Sequence, residues 1–349
     1  MAIAGERSLC YSWVMVVTNP AREVTPPDAA SRRWWSAASA RPALAMAALG
    51  CFGLALSCLA GVLRWFGANP SDLGFLNADS SLPVELFAWA FFTIALLFVL
   101  RSAAARGASI YVRAGAAVCL VGAMAECASV GFSVRSVTDF SPPISLFKAE
   151  FTFASLGWLL LAAGVFILQR NWASGRQLST PRTARGAWQR ALLVVTIALL
   201  SSAGGEALGF GSLVAWPHST SEPALIASYA PEVLTWIAVA IAGLIVVNAA
   251  RRGLFARQLL VPAGLAALGG AVLAASAAAL FVAGQLVYHF FKFAWITPLL
   301  RIQTVGACAG MLVLAGACIA AAIRQDAGPT GRDLPAPPAY WPRVAAANS

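Results

Sequence analysis

The chain of 349 residues is 60% hydrophobic and only 11% charged, whereas an ordinary soluble domain is about 25% charged and about 45–50% apolar. A water-soluble globular fold is therefore excluded. The net charge of +10 does not indicate a nucleic-acid partner, because the basic residues fall mainly in alternate segments between long apolar stretches.

Residues 1–42 are polar and basic, and their only apolar run, residues 11–17, is too short for a signal-peptide core with a cleavage site. We expect a cytoplasmic tail there. Eight apolar stretches follow, each close to the roughly 20 residues that a helix needs to cross a bilayer. They span residues 43–64, 84–100, 114–134, 151–168, 191–213, 233–250, 260–284 and 299–322. Residues 43–323 therefore predict an all-α integral membrane protein with a bundle of eight transmembrane helices, and the proline-rich residues 324–349 predict a second, extended tail.

Arginines cluster before the first helix and after helices two, four, six and eight. Positive charge is retained on the cytoplasmic side of a membrane. This pattern predicts that both termini are cytoplasmic and that the protein resides in a bacterial inner membrane. The turn between helices seven and eight departs from the pattern, since it carries His289, Lys292 and Arg301 on the predicted outer side.

A short sequence similarity relates the starts of helices two and six. Pro83, Glu85 and Trp89 precede or open the first, and Pro231, Glu232 and Trp236 do the same for the second. This repeat suggests two parallel halves of four helices each, related by an axis normal to the membrane. Chance similarity between alanine-rich helices is the alternative, and helices one and five do not match well under the same offset.

Two carboxylates fall within the predicted helices: Glu126 in helix three and Glu206 in helix five. An ionisable group inside a membrane costs about 2.5–3.5 kcal/mol on insertion scales, so it usually faces a bundle interior, a partner or a water-filled cavity. Both are candidates for binding a coupling proton or cation. The alternative for each is a structural role, as a hydrogen-bonded contact between closely packed helices.

A second group of charges lies towards the predicted outer ends of the helices. Taken singly, such charges reach water or headgroups and need no function. Taken together, they are candidates for an outward vestibule that receives an anionic or zwitterionic solute. The group consists of Glu85, Lys148, Glu150, Glu232, His289, Lys292 and Arg301.

No sequence signal points to a cofactor or a metal. Six of the seven cysteines fall within predicted helices and none belongs to a Cys-x-x-Cys pair, so neither a disulfide framework nor a zinc site is predicted. Phosphate-binding loops, zinc-protease signatures and serine-hydrolase elbows are absent from the sequence.

These features favour a transporter or permease-like protein that uses intramembrane carboxylates to bind a proton or a cation. Two alternatives stay open. One is a non-catalytic subunit of a larger complex, with a membrane-protein partner covering a glycine-rich face of helix seven that includes Gly264, Gly269 and Gly270. The other is an enzyme acting on a lipid or lipid-linked substrate at the outer leaflet, with Glu150 or Glu232 as general base. Membrane lipids are the expected partners in every case.

Overall fold

The computed structural model describes residues 37–65, 78–105, 108–138, 144–172, 182–215, 222–255, 257–290 and 296–324. These residues form eight long helices, and none of them lies in a strand. The helices are α1 (Ala37–Trp65), α2 (Ala78–Ala105), α3 (Ile110–Thr138), α4 (Ile144–Trp172), α5 (Arg182–Ala215), α6 (Glu222–Arg251), α7 (Leu260–Phe290) and α8 (Ile296–Arg324). A single 3₁₀ turn, Arg257–Leu259, precedes α7.

All eight helices contain a segment long and apolar enough to cross a membrane. The eight predicted spans are therefore confirmed, although the helices are longer than the apolar stretches, with 28 to 34 residues each. At about 1.5 Å per residue, the shortest helix measures about 42 Å, which exceeds a hydrocarbon core about 30 Å thick. The helices therefore extend into the headgroup region on one or both sides.

Among the described residues, the helices close into a ring. Each helix packs mainly against the helices before and after it in the chain, and α1 packs against α8. Neighbouring helices run antiparallel, as their short connections require. The ring leaves each helix one exposed, apolar face of the kind that lipid chains would cover. Representative exposed side chains, one per helix, are Phe52, Phe87, Val121, Leu159, Ile197, Leu244, Leu268 and Ile319.

The centre of the bundle combines small residues with a few large aromatic rings. Trp89 of α2 is fully buried and packs edge-to-face against Trp158 of α4, with ring centroids 6.1 Å apart. Trp188 of α5 makes a similar contact with Phe255, just after α6, at 6.0 Å. Alanine and glycine fill most other positions, so backbones approach closely and dispersion contacts hold the helices together in place of a hydrophobic driving force.

The described cysteines fall into two groups. Cys51 in α1 is disulfide-bonded, which is a single bond and not a disulfide framework. Its position within an apolar helix gave no sign of the bond. Cys58, Cys119, Cys127, Cys308 and Cys318 take no part in a disulfide.

Several sequence expectations lie outside the described residues. These are most of the tail 1–42, all of the tail after residue 324, and Lys292. His289 belongs to the last turn of α7, but its side chain is likewise outside the described set.

Candidate functional site

Glu126 lies at the interface of α3 and α4 and is completely buried, with 0% of its surface exposed. Its carboxyl group faces Gly157 of α4. A methyl group built on Gly157 would lie 2.6 Å from Glu126 Oε1 and 3.0 Å from the carbonyl oxygen of Gly122. Real side chains do not approach this closely, so only glycine at position 157 leaves room for the carboxyl group. Glu126 therefore occupies a slot that the opposite helix is shaped to provide.

Close backbone packing continues along the same two helices. A methyl group on Gly122 would lie 2.8 Å from the carbonyl oxygen of Gly157, and one on Gly115 would lie 3.1 Å from that of Gly164. One turn beyond Glu126, the Ser129 hydroxyl donates a 2.8 Å hydrogen bond to the carbonyl oxygen of Glu150. This hydrogen bond sets the register of α3 against α4 next to the carboxyl group.

A row of buried hydroxyl groups extends from Glu126 towards the end of α3. Ser129, Ser133 and Ser136 are 0%, 8% and 7% exposed. Ser136 donates to the carbonyl oxygen of Ser133 at 2.8 Å, and Ser133 donates to that of Ser129 at 3.4 Å. The row covers ten residues, or about 15 Å at 1.5 Å per residue. The three hydroxyls are therefore spread along a length equal to about half of a hydrocarbon core, between the level of the carboxyl group and the helix end.

The other immediate polar neighbours of Glu126 belong to α2 and α3. Cys127, next to it in sequence, places its Sγ atom 3.5 Å from Oγ1 of Thr93 in α2. Cys119, two turns earlier, donates from its thiol to the carbonyl oxygen of Leu161 at 3.8 Å. In the described part of the chain, no three His, Cys, Asp or Glu side chains lie close enough to hold a metal ion.

The interface of α7 and α8 provides an internal comparison for this site. The Ser276 hydroxyl donates to the carbonyl oxygen of Gln303 at 2.6 Å, as Ser129 does to that of Glu150. Gly310 of α8 faces Leu273 of α7, whose Cγ atom would lie 2.5 Å from an added methyl group. Leu273 stands three residues before Ser276, as Glu126 stands three before Ser129. A glycine thus faces a leucine at one pair of helices and a glutamate at the other.

The hydroxyl row has no counterpart at the second interface. The positions of α7 that match Ser133 and Ser136, counted from the two hydrogen-bonded serines, are Leu280 and Ala283, both buried. The two additional buried hydroxyl groups, Ser133 and Ser136, therefore have apolar residues at the matching positions of α7.

Glu206 of α5 is half-buried and lies on the face of its helix opposite the exposed residues Ile197 and Gly204. The ring of Phe151 in α4 abuts Gly209, three residues after Glu206. The neighbouring residue Glu150 receives the hydrogen bond from Ser129, three residues after Glu126. The two carboxylates therefore lie at a similar level on opposite flanks of α4.

Five of the seven residues of the predicted vestibule lie on α2, α4, α6 and α8, and their surroundings differ. Glu85 of α2 is buried, whereas Glu232 of α6 and the α4 residues Lys148 and Glu150 are half-buried. Arg301 of α8 is exposed. The solvent exposure of these side chains therefore ranges from buried to exposed.

The glycine face of α7 that was considered for a partner is largely filled by the chain itself. Gly269 is covered by Leu314 of α8, and a methyl group on Gly270 would lie 2.8 Å from the backbone nitrogen of Ala240 in α6. Gly264 alone of the three has open space beside it. This face therefore offers little free surface for a second protein.

Sequence reasoning identified Glu126 but missed Gly157 and the three serines. The serine spacing of i, i+3, i+7 and i+10 from Glu126 places all four residues on one helix face and was visible in the sequence. Gly157 was not identifiable without knowing how α4 packs on α3. No protein-family model, curated protein or solved structure gave a significant match to this chain.

Proposed function

We propose that the protein is a membrane carrier of the permease type, in which the Glu126 carboxyl group binds and releases a coupling proton or cation. The observation that carries the proposal is the contrast between Glu126 and Leu273. Both side chains fill a slot opposite a glycine, so the packing there is satisfied by leucine and does not require a carboxylate. A costly intramembrane carboxylate in a position that leucine can occupy favours a functional role over a structural one.

The comparison depends on a duplication, which we propose extends over the whole chain. All eight buried positions of α4 from Ala154 to Leu168 recur as buried positions 153 residues later in α8. In α2, the buried positions from Ala88 to Ala103 recur 147 residues later in α6, with Trp89 matched by Trp236. At a different offset, 144 residues, seven of the nine buried positions of α1 recur as buried positions of α5.

Two parallel halves of four helices would be related by an axis along the membrane normal, as in several transporter folds. Under this relation, the outer charges also form pairs. Glu85 corresponds to Glu232, and Lys148 corresponds to Arg301. We propose that these pairs line the entrance for an anionic or zwitterionic solute, and that Glu206, level with Glu126, is a second candidate coupling site.

The proposed setting is a bacterial inner membrane with both termini in the cytoplasm, as the arginine distribution favours. In this topology α3 begins at the cytoplasmic side and ends at the outer side. The serine row would then connect Glu126 with the outer face.

Proton uptake by the purified protein tests the proposal without knowledge of the solute. Wild type, Glu126→Gln, Glu206→Gln and the double variant are stepped between two buffered pH values in detergent, and the protons bound are counted with a pH dye. We expect wild type to bind about one proton more than Glu126→Gln. Equal uptake by wild type and the double variant would refute the proposed role.

Transport is then measured in proteoliposomes loaded with a pH dye. Pools of amino acids, organic anions and zwitterions are added outside. We expect one pool to drive proton movement in wild type and not in Glu126→Gln. Leu273→Ala, which alters the matching slot of the other half, should retain coupling. Coupled movement that survives in Glu126→Gln would assign the coupling to another residue.

A further inference from the structure

The environment of Glu126 restricts what it can bind. Its carboxyl group is 0% exposed, and the wall formed by Gly157 has no room even for a methyl group. A metal cation requires several oxygen ligands around it, with six to eight for calcium and about six for magnesium. A proton occupies no additional volume.

The route to this carboxyl group is also limited. Glu126 lies ten residues before Ser136, which is the last residue of the apolar span of α3. The buried side chains between the two are Ser129, Val130 and Ser133, and the two serines are the polar ones among them. Between α2 and α3, the polar groups near Glu126 are Thr93 of α2 and Cys127 of α3.

Resting on the proposed function, we infer that the ligand of Glu126 is a proton, and that it arrives along the row Ser129, Ser133 and Ser136 from the end of α3. Each hydroxyl carries a rotatable hydrogen and two acceptor lone pairs, so it can relay a hydrogen bond or hold a water molecule that does so. In the structure each of the three hydroxyls donates to a backbone carbonyl oxygen, so each must rotate to relay a hydrogen bond along the row.

Other titratable groups surround Glu126 and must be separated from it in any measurement. Cys127 and Cys119 share its helix, and Cys119 donates to Leu161 of α4. Glu150 and Lys148 lie on α4 beyond Ser129, and Glu206 lies on the far flank of α4. The difference between wild type and Glu126→Gln isolates the Glu126 signal from all of these groups.

The second half of the chain supplies the matched substitutions. Leu280 and Ala283 occupy the positions that correspond to Ser133 and Ser136, so Ser133→Leu introduces a residue that this packing already accommodates once. Ser133→Thr retains a hydroxyl at the same position. Leu280→Ala serves as the control outside the row.

The experiment follows hydrogen–deuterium exchange of the Glu126 carboxyl group by infrared difference spectroscopy, using the full chain in lipid vesicles. The carboxyl band is identified as the one lost in Glu126→Gln. We expect Ser133→Leu to slow the exchange at least tenfold, Ser133→Thr to restore it, and Leu280→Ala to leave it unchanged. A thermal melt of each variant checks that the fold is retained.

Two outcomes separate this inference from the proposed function. Fast exchange in a folded Ser133→Leu variant would overturn the route while leaving the proton site intact. Absence of any band that responds to Glu126→Gln would overturn the proton site itself. If Ser133→Leu does not fold, Ser136→Ala is measured in the same way, and an unchanged rate there would also overturn the route.

Discussion

Replacement of Glu126 by leucine separates a functional carboxylate from a structural one. Leu273 lies opposite Gly310 in the proposed second half, so the bundle already contains a contact between leucine and glycine of the kind that Glu126→Leu would create. If the carboxylate has no structural role, the variant should fold at least as well as wild type. It should also lose the proton bound at this position.

The magnitude follows from membrane insertion scales. An ionisable residue at a helix centre costs about 2.5–3.5 kcal/mol, and leucine is favourable by about 0.3–0.6 kcal/mol. The substitution thus removes an unfavourable contribution of about 3–4 kcal/mol. Repacking a hydrophobic side chain of similar size costs up to about 1.5 kcal/mol. We therefore expect the free energy of unfolding of Glu126→Leu to rise by about 2 kcal/mol.

The assay is thermal or denaturant unfolding of the purified protein in a single detergent, with Leu273→Glu as the matched control. The control places a carboxylate in the slot that lacks the hydroxyl row, and its free energy of unfolding should fall by about 3 kcal/mol. A loss of more than about 1 kcal/mol in Glu126→Leu would contradict the argument, because it would mean that the carboxylate stabilises the contact between α3 and α4.

Further predictions concern packing, hydrogen bonds and topology. Gly157→Ala and Gly310→Ala should each lower the free energy of unfolding by about 1–3 kcal/mol through overpacking. Only Gly157→Ala should also reduce proton uptake. Equal proton uptake by the two variants would show that Gly157 does not affect proton binding. Ser276→Ala removes a 2.6 Å interhelical hydrogen bond and should lower the free energy of unfolding by about 0.6 kcal/mol, the average for such bonds in a membrane protein, without changing proton uptake. A reporter enzyme that is active only in the cytoplasm should be active when it is fused after Ser349. Activity of a reporter that works only in the periplasm would contradict the proposed topology.

The number and position of the spans could be predicted from the sequence because membrane insertion depends on local apolar content. The closed ring could not, since which helices pack together depends on side-chain shape across distant segments. The similarity of Glu85 and Trp89 to Glu232 and Trp236 suggested a repeat, but the correspondence that we propose between α3 and α7 depends on small residues that occur throughout the chain.

The candidate site was predictable only in part, for a related reason. An isolated Glu126 within an apolar helix stands out in any sequence. The slot around it depends on the contact of Gly122 with Gly157, two residues separated by a helix connection. Serines are common in helices, so Ser133 and Ser136 can be recognised as part of the site only when their burial and their alignment with Glu126 are known.

The ring also has a consequence for how the protein is made. Because α1 packs against α8, at a contact where Gly61 meets Thr304, one of its two interfaces is formed by a helix that is synthesised after the six helices between them. Successive neighbours can pair as each helix emerges, but α1 keeps an uncovered flank until α8 has been inserted. Ribosome stalling or truncation before that point would leave both edges of an open arc exposed to lipid.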